Sequence, residues 1–296
     1  MIVLQLLNEA GSKDAKLHLR NFSRLVDLAG YLIEAPREAR TRELEWLTYS
    51  EKLGFKIAYH TMSMRSLLDG YSFSNAYNKD LTGKVVDLQS ANVLLRALIE
   101  TCLTFRMIYD WGRDAEEKEF AFSCWMYAGL RSRQSHDASI PEAQAQKLRD
   151  QKAIVSLRKR IEELAEHQKL VTEGQLGTIL DGKSQQAGRL LLSWKDLAKK
   201  LGYQGPLSFE GIYHLLSRDA HTDSLSILRL KDANPVDNNE NRCFILLHGC
   251  LWVSEFIAAW VRLHKSAELK FNTAEQDLVE RVRLYSKLLT SKNTFT

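Results

Sequence analysis

Proline is scarce in this chain, at 4 residues in 296. That scarcity removes the commonest obstacle to long helices, because each proline deletes a backbone donor and clashes with the preceding turn. The four cysteines, Cys102, Cys124, Cys243 and Cys250, form no C-x-x-C pair and stand in apolar runs. They read as buried free thiols in a reducing cytoplasm. A strong charge of either sign is also missing. The formal net charge of +4 is compatible with a nucleic-acid partner without arguing for one. The first residues, MIVLQLLNEA, lack a basic stretch and offer too short an apolar run for a signal peptide. No segment shows sustained strand alternation, so nothing is available to build a parallel sheet.

One apolar run is long enough to cross a bilayer: CFILLHGCLWVSEFIAAWVRL, Cys243 to Leu263. His248, Ser254 and Glu255 lie along it, and an ionisable group at mid-membrane costs about 2.5 kcal/mol or more. The expectation is a helix buried on all sides in a soluble bundle, with no membrane.

What is present is helical periodicity almost throughout. Apolar residues make up 45% of the chain, enough for a sizeable core. The pattern predicts helices over Leu17–Leu32 and Thr41–Leu68, separated at Ala35-Pro36, and then a loop, GYSFSNAYNKDLTGK. Asp87–Trp111 follows as a helix apolar nearly all round, and Asp114 to about Arg133 as one rich in aromatics. Ser139-Ile140-Pro141-Glu142 has the S-x-x-E form that starts a helix. In that helix, which runs to Leu170, Ile154, Leu157, Ile161 and Leu164 are spaced to pack against the body of the protein. Val171–Gly188 is the most loop-like stretch, with glycines at 174, 177, 182 and 188. Further helices are expected over Trp194–Leu201, Ser208–His221, the apolar run and Thr273–Leu289, with a polar loop, KDANPVDNNENR, before the apolar run. The fold class is all-α, a multi-helix bundle with a central buried helix pair. Residues 1–86 are expected to pack on a core formed by 87–296 that carries the polar cluster, the alternative being one continuous domain.

Gly177 to Ser184 reads GTILDGKS, a letter-for-letter match to G-x-x-x-x-G-K-[ST]. A phosphate loop needs a buried strand before it and a helix after it, so that backbone N–H groups and a helix dipole meet the phosphates. Here HQKLVTEGQL precedes it, a polar helix end, and Asp181 would set a carboxylate beside the phosphates. The match is read as accidental and the stretch as a flexible loop.

Chemistry is better served by SFEGIYHLLSRDAHTDS, Ser208 to Ser224. On a helical wheel Phe209, Ile212, Tyr213, Leu216 and Ala220 gather on one side. Glu210, His214, Ser217, Arg218 and His221 gather on the other within about 100° of arc. Two imidazoles, a guanidinium, a hydroxyl and a carboxylate thus share a face; the plain alternative is a solvated face whose basic residues favour the helix C-terminus. A second signal is Arg96 with Glu100, a helical turn apart in an otherwise apolar helix. Long charged residues are rarely buried alone, so something polar must meet them, either as a register-fixing ion pair or as one side of a pocket shared with the His221 face. RSRQSH, Arg131 to His136, fits the R-x4-6-H spacing of metal-independent ribonucleases and ranks below that face.

The Arg96-x3-Glu100 helix, the stretch LSWKDLAKKLGY and the Tyr213-x3-Ser217-x3-His221 helix together resemble a family of bacterial all-helical proteins that carry no established activity. The resemblance covers about Asp87 to His264. It implies a fold and a site at Arg96, Glu100, Tyr213, Ser217 and His221, but no reaction. More distantly, Arg218-Asp219-Ala220-His221 is similar to the Arg and His helix of HEPN ribonucleases, though with fewer residues between the two than their motif has. That likeness implies that His221 moves the proton of an RNA 2′-hydroxyl or of the leaving oxygen, and that Arg218 stabilises charge on the phosphorus oxygens.

The expectation for function is an RNA-cleaving or RNA-binding effector of a bacterial stress or phage-defence system, cytoplasmic, with no cofactor and no metal. Its expected partners are RNA, a second copy in a homodimer and a partner protein of a defence operon. The rival is a non-enzymatic helical interaction or ligand-sensing module in which the same cluster is a structural network.

Overall fold

The computed structural model describes residues 2–39, 45–80, 82–112, 114–168, 171–181, 186–203, 209–220 and 239–290. These are all-helical apart from one hairpin, as the periodicity requires. They fall into two compact units, Met1–Cys102 with Gly202–Thr296, and Leu103–Leu201. The expected boundary at 86/87 lies inside the first unit.

The first unit contains α1 (Ile2–Ala10), α2 (Ala15–Ala39), α3 (Glu45–Asp69), strands β1 (Tyr71–Ser74) and β2 (Thr82–Val85), and α4 (Leu88–Tyr109) through Cys102. After the second unit come α9 (Phe209–Ala220), α10 (Asn239–Leu263), α11 (Lys265–Asn272) and α12 (Gln276–Thr290). Helix α10 is the apolar run of the sequence. It is long and apolar enough to cross a membrane, yet 78% of its most apolar window is buried inside the protein. Trp252, Phe256, Ile257 and Trp260 are all sealed in the core. Of its polar residues, Glu255 accepts from Tyr203 Oη at 3.0 Å and from the Ser286 hydroxyl. Gly249 lets α10 press onto α2, since a Cβ there would stand 2.8 Å from the Phe22 ring.

Two expectations about this unit are corrected. Ala35-Pro36 does not divide one helix from the next, because α2 runs through Pro36 to Ala39. Proline cannot donate to the carbonyl of Leu32 one turn back, but Trp260 Nε1 does so from α10 at 2.9 Å. The loop after α3 is partly an antiparallel hairpin, with Tyr71 opposite Val85 and Phe73 opposite Gly83. The Asn75 side chain organises its turn by accepting the N–H groups of Tyr77 and Asn78. Gly70 enters it with φ +91°, where a side chain would meet Lys84 and the Val85 carbonyl within 3.0 Å.

The second unit holds α5 (Ala115–Gln134), α6 (Pro141–Gln168), α7 (Glu173–Asp181), a 3-10 turn (Ala187–Arg189) and α8 (Trp194–Lys200). Asp114 caps α5 by accepting the Glu117 N–H at 2.9 Å. Helices α5 and α6 pack through Phe120, Cys124 and Tyr127 against Ile154, Ile161 and Leu164. Leu157 packs beside them, the use expected for that spacing. Bidentate pairs Arg133–Asp150 and Arg160–Glu119 tie the same two helices.

Val171–Gly188 is corrected as well. Half of it, Glu173–Asp181, is helix α7, so Gly177–Asp181 is helical and not a loop; 182–185 lie outside the described residues. The helix is fixed at both ends. At the start, Thr172 and Gln175 form a reciprocal box, Gln175 Oε1 accepting the Thr172 N–H at 2.9 Å and Thr172 Oγ1 the Gln175 N–H at 3.3 Å. At the end, Tyr127 Oη donates to the Leu180 carbonyl at 2.6 Å and Arg131 to that of Asp181 at 3.2 Å. Ile179 and Leu180 join the core. Helix α7 also begins ahead of Gly177, where a phosphate loop would need a strand.

Candidate functional site

The central half of α4 is nearly all core, with Leu95, Leu98, Ile99 and Cys102 buried. Its remaining edge brings Arg96 and Glu100 together one turn apart. Helix α9 buries Phe209, Ile212 and Leu216, the apolar stripe seen on the wheel, and this packing delivers Tyr213 to the same edge.

The three side chains close a ring of hydrogen bonds. Arg96 Nε donates to Glu100 Oε1 at 3.0 Å, an Arg96 terminal nitrogen donates to Tyr213 Oη at 3.0 Å, and Tyr213 Oη donates to that same Glu100 oxygen at 2.7 Å. The Arg96 guanidinium also lies 4.9 Å from the centre of the Tyr213 ring, and Phe209 stacks on that ring at 4.5 Å. Something polar does meet the Arg–Glu pair. The pair is not sealed, however: Arg96 and Glu100 keep 24% and 27% of their side-chain surface.

The electrostatics follow from this geometry. Burial, and then the Glu100 carboxylate, push the Tyr213 phenol up to about 12. At neutral pH it is a donor and not a base. Burial works against the Arg96 cation, but Glu100 and Tyr213 more than offset it and hold the guanidinium above its usual value. Ser217 sits one turn after Tyr213, and its hydroxyl donates to the Tyr213 carbonyl at 2.7 Å. The arrangement is therefore a clasp between α4 and α9, with its charges met internally.

Of the six site residues expected from the sequence, Arg96, Glu100 and Tyr213 are in direct contact, and Ser217 joins them through backbone. The Arg218 side chain and all of His221 lie outside the described residues. His214 on the same helix is exposed. The other Arg–His pair separates by role: Arg131 caps α7, and His136 stands exposed in the turn after α5. Among the described residues no three His, Cys, Asp or Glu side chains gather as metal ligands.

A second polar constellation had no signature in the sequence. A cleft of about 380 Å³ is lined by α1, α2 and the start of α12. In it Glu9 accepts from Gln5, Asn21 and the buried Arg281, while Arg24 is gripped by Glu275 and Asp277. Its members lie up to 272 residues apart, so no local spacing could bring them to notice.

Fold and clasp define a helical protein in which one short helix is mounted on a central one by a charged ring. The chain belongs to the family of unknown function DUF5677, whose model matches residues 83–239. No curated protein and no solved structure matches it. The matched segment begins just before α4 and ends at the start of α10, so it takes in both halves of the clasp.

Proposed function

We propose that α9 is the working helix of an RNA-directed effector and that the Arg96–Glu100–Tyr213 clasp is its mount. The observation that carries this reading is the clasp itself. It joins residues 113 and 117 positions apart on the two helices that the family segment has in common with the motif-bearing stretches. Packing of α9 is already supplied by Phe209, Ile212 and Leu216. A polar ring that costs desolvation is better explained by a need to fix orientation than by a need for stability.

The chemistry then falls to the polar face, Ser217, Arg218 and His221. His is the side chain that titrates near neutrality. In this reading His221 accepts the proton of an RNA 2′-hydroxyl as its oxygen attacks phosphorus. The bond to the 5′ oxygen breaks, that oxygen takes a proton, and a cyclic phosphate is left. Arg218 stabilises the charge that builds on the phosphoryl oxygens, and no metal is required. Cytoplasmic location, a homodimer pairing two such helices, a partner protein from the same operon, and service in bacterial stress or phage defence complete the proposal.

A second reading has its own support. The clasp residues satisfy one another and the Ser217 hydroxyl is turned to its own helix, as in a structural network presenting α9 to another protein or a ligand. Incubation of the pure protein with RNA in EDTA separates the two. Cleavage that His221→Ala loses while the melting temperature holds within a few degrees supports the first. No cleavage by the wild type, or full activity in His221→Ala, overturns it.

A further inference from the structure

The outer face of α3 (Glu45–Asp69) sets aromatic rings and cations side by side. Tyr49, Lys52, Phe55 and Tyr59 follow one another at spacings of three and four, with Lys56 three before Tyr59, and so share one side of the helix. Tyr59 is 67% exposed and its ring stacks beside Phe55 at 6.5 Å and 29°. Lys52 Nζ rests 4.1 Å from the centre of the Tyr49 ring, and the Arg37 guanidinium 5.4 Å from that of Phe55. Arg37 is answered by Glu34 and Glu51. Lys52 and Lys56 are exposed and have no carboxylate within ion-pair distance among the described residues. From Tyr49 to Ser66 this face, about 140° of arc, carries no acid. The opposite side of α3, with Leu53, Ile57, Met64 and Leu68, makes all of its core contacts.

Folding gains little from an exposed tyrosine beside two lysines that no described carboxylate pairs. Flat rings with cations between them are what a single-stranded nucleic acid needs: bases stack on the rings while lysines follow the phosphates. We propose that the Tyr49–Tyr59 face of α3 is a docking strip for single-stranded RNA. It rests on the RNA-directed reading above but uses none of its residues, and it lies outside the family segment. The strip holds the strand, and the α9 face acts on it.

The test uses full-length protein carrying His221→Ala, so that the probe survives, and a labelled oligouridine of about 12 nucleotides followed by fluorescence anisotropy. Tyr59→Ala should weaken binding about tenfold, within the range that base stacking supplies, while Tyr59→Phe binds as the parent does. Lys52→Gln with Lys56→Gln should reduce the slope of log affinity against log salt by about 1.4. Unchanged affinity and slope in these variants overturns the strip, and so does a parent that does not bind the oligouridine. Equal binding of a duplex RNA overturns it too, since paired bases cannot stack on rings. A wild type that binds RNA through the strip and does not cleave it sinks only the α9 reading, and wild-type cleavage without strip binding sinks only this one.

Discussion

The indole nitrogen of Trp260 donates to the carbonyl oxygen of Leu32 across 2.9 Å, at the turn of α2 where Pro36 has no N–H to give. A buried carbonyl without a donor costs roughly 1–3 kcal/mol, and here the missing donor comes from another helix. Gly54 leaves room for it, since a Cβ there would lie 3.1 Å from the Trp260 ring. Trp260→Phe should therefore lower unfolding stability by at least about 1 kcal/mol. In that background Pro36→Ala restores the helical donor and should recover some of the loss. A denaturant double-mutant cycle with no coupling between the two positions would refute the link.

The partial exposure of the clasp sets its energetic scale. A sealed ion pair broken on one side costs about 3–5 kcal/mol and an exposed one under about 1. Arg96→Met and Glu100→Gln should fall between, at about 1–3 kcal/mol. Tyr213→Phe should cost about 1 kcal/mol, since it removes a hydroxyl and keeps the ring. Replacing Arg96 and Glu100 together with apolar residues should cost less than the two single changes combined. Urea denaturation of the four variants checks the order.

Acid should loosen the first unit before it titrates most carboxylates. Burial holds His248 and His264 down to about 4, against an ordinary 6.5. A histidine depressed in the folded state binds its proton more readily unfolded. Its contribution is complete above pH 6.5 and is lost as pH falls from there toward 4, on the order of 1–3 kcal/mol for each. His248→Leu should flatten that stretch of a stability–pH curve. A curve equally steep with and without His248 would rule this origin out.

Gly249 predicts a steric effect. In Gly249→Ala the new methyl would stand 2.8 Å from the fully buried Phe22 ring, and overpacking of this kind costs about 1–3 kcal/mol. Adding Phe22→Leu should recover some of it, which thermal melts of the single and double variants can read.

Helix existence was legible wherever cause and effect lie close in sequence. Asp114 caps its own helix and Pro141 opens the next. The Arg96–Glu100 pair announced a polar neighbour because both charges sit within one turn. Misreadings came where the deciding partner is remote or the signal was outweighed. Pro36 looked like a break because Trp260, which repairs it, lies 228 residues from the orphaned carbonyl. The glycines of 174–188 argued for a loop, yet Thr172-x-x-Gln175 was a readable helix start, and Tyr127 and Arg131 finish that helix from α5. The mixed-charge cleft at Glu9 and Arg281 left no local trace.

The placement of α10 has a consequence for how the chain is made. Helices α2 and α3 leave the ribosome long before the helix that covers them. At about 5–20 residues per second, Phe22, Leu25, Leu32 and Ile57 wait some tens of seconds for Trp252 and Trp260. The Leu103–Leu201 unit is continuous and can settle in that interval, whereas the first unit cannot close until its last quarter has emerged. During every round of synthesis the apolar sides of two long helices stand open to other nascent chains, which makes the speed of translation between α3 and α10 a determinant of yield.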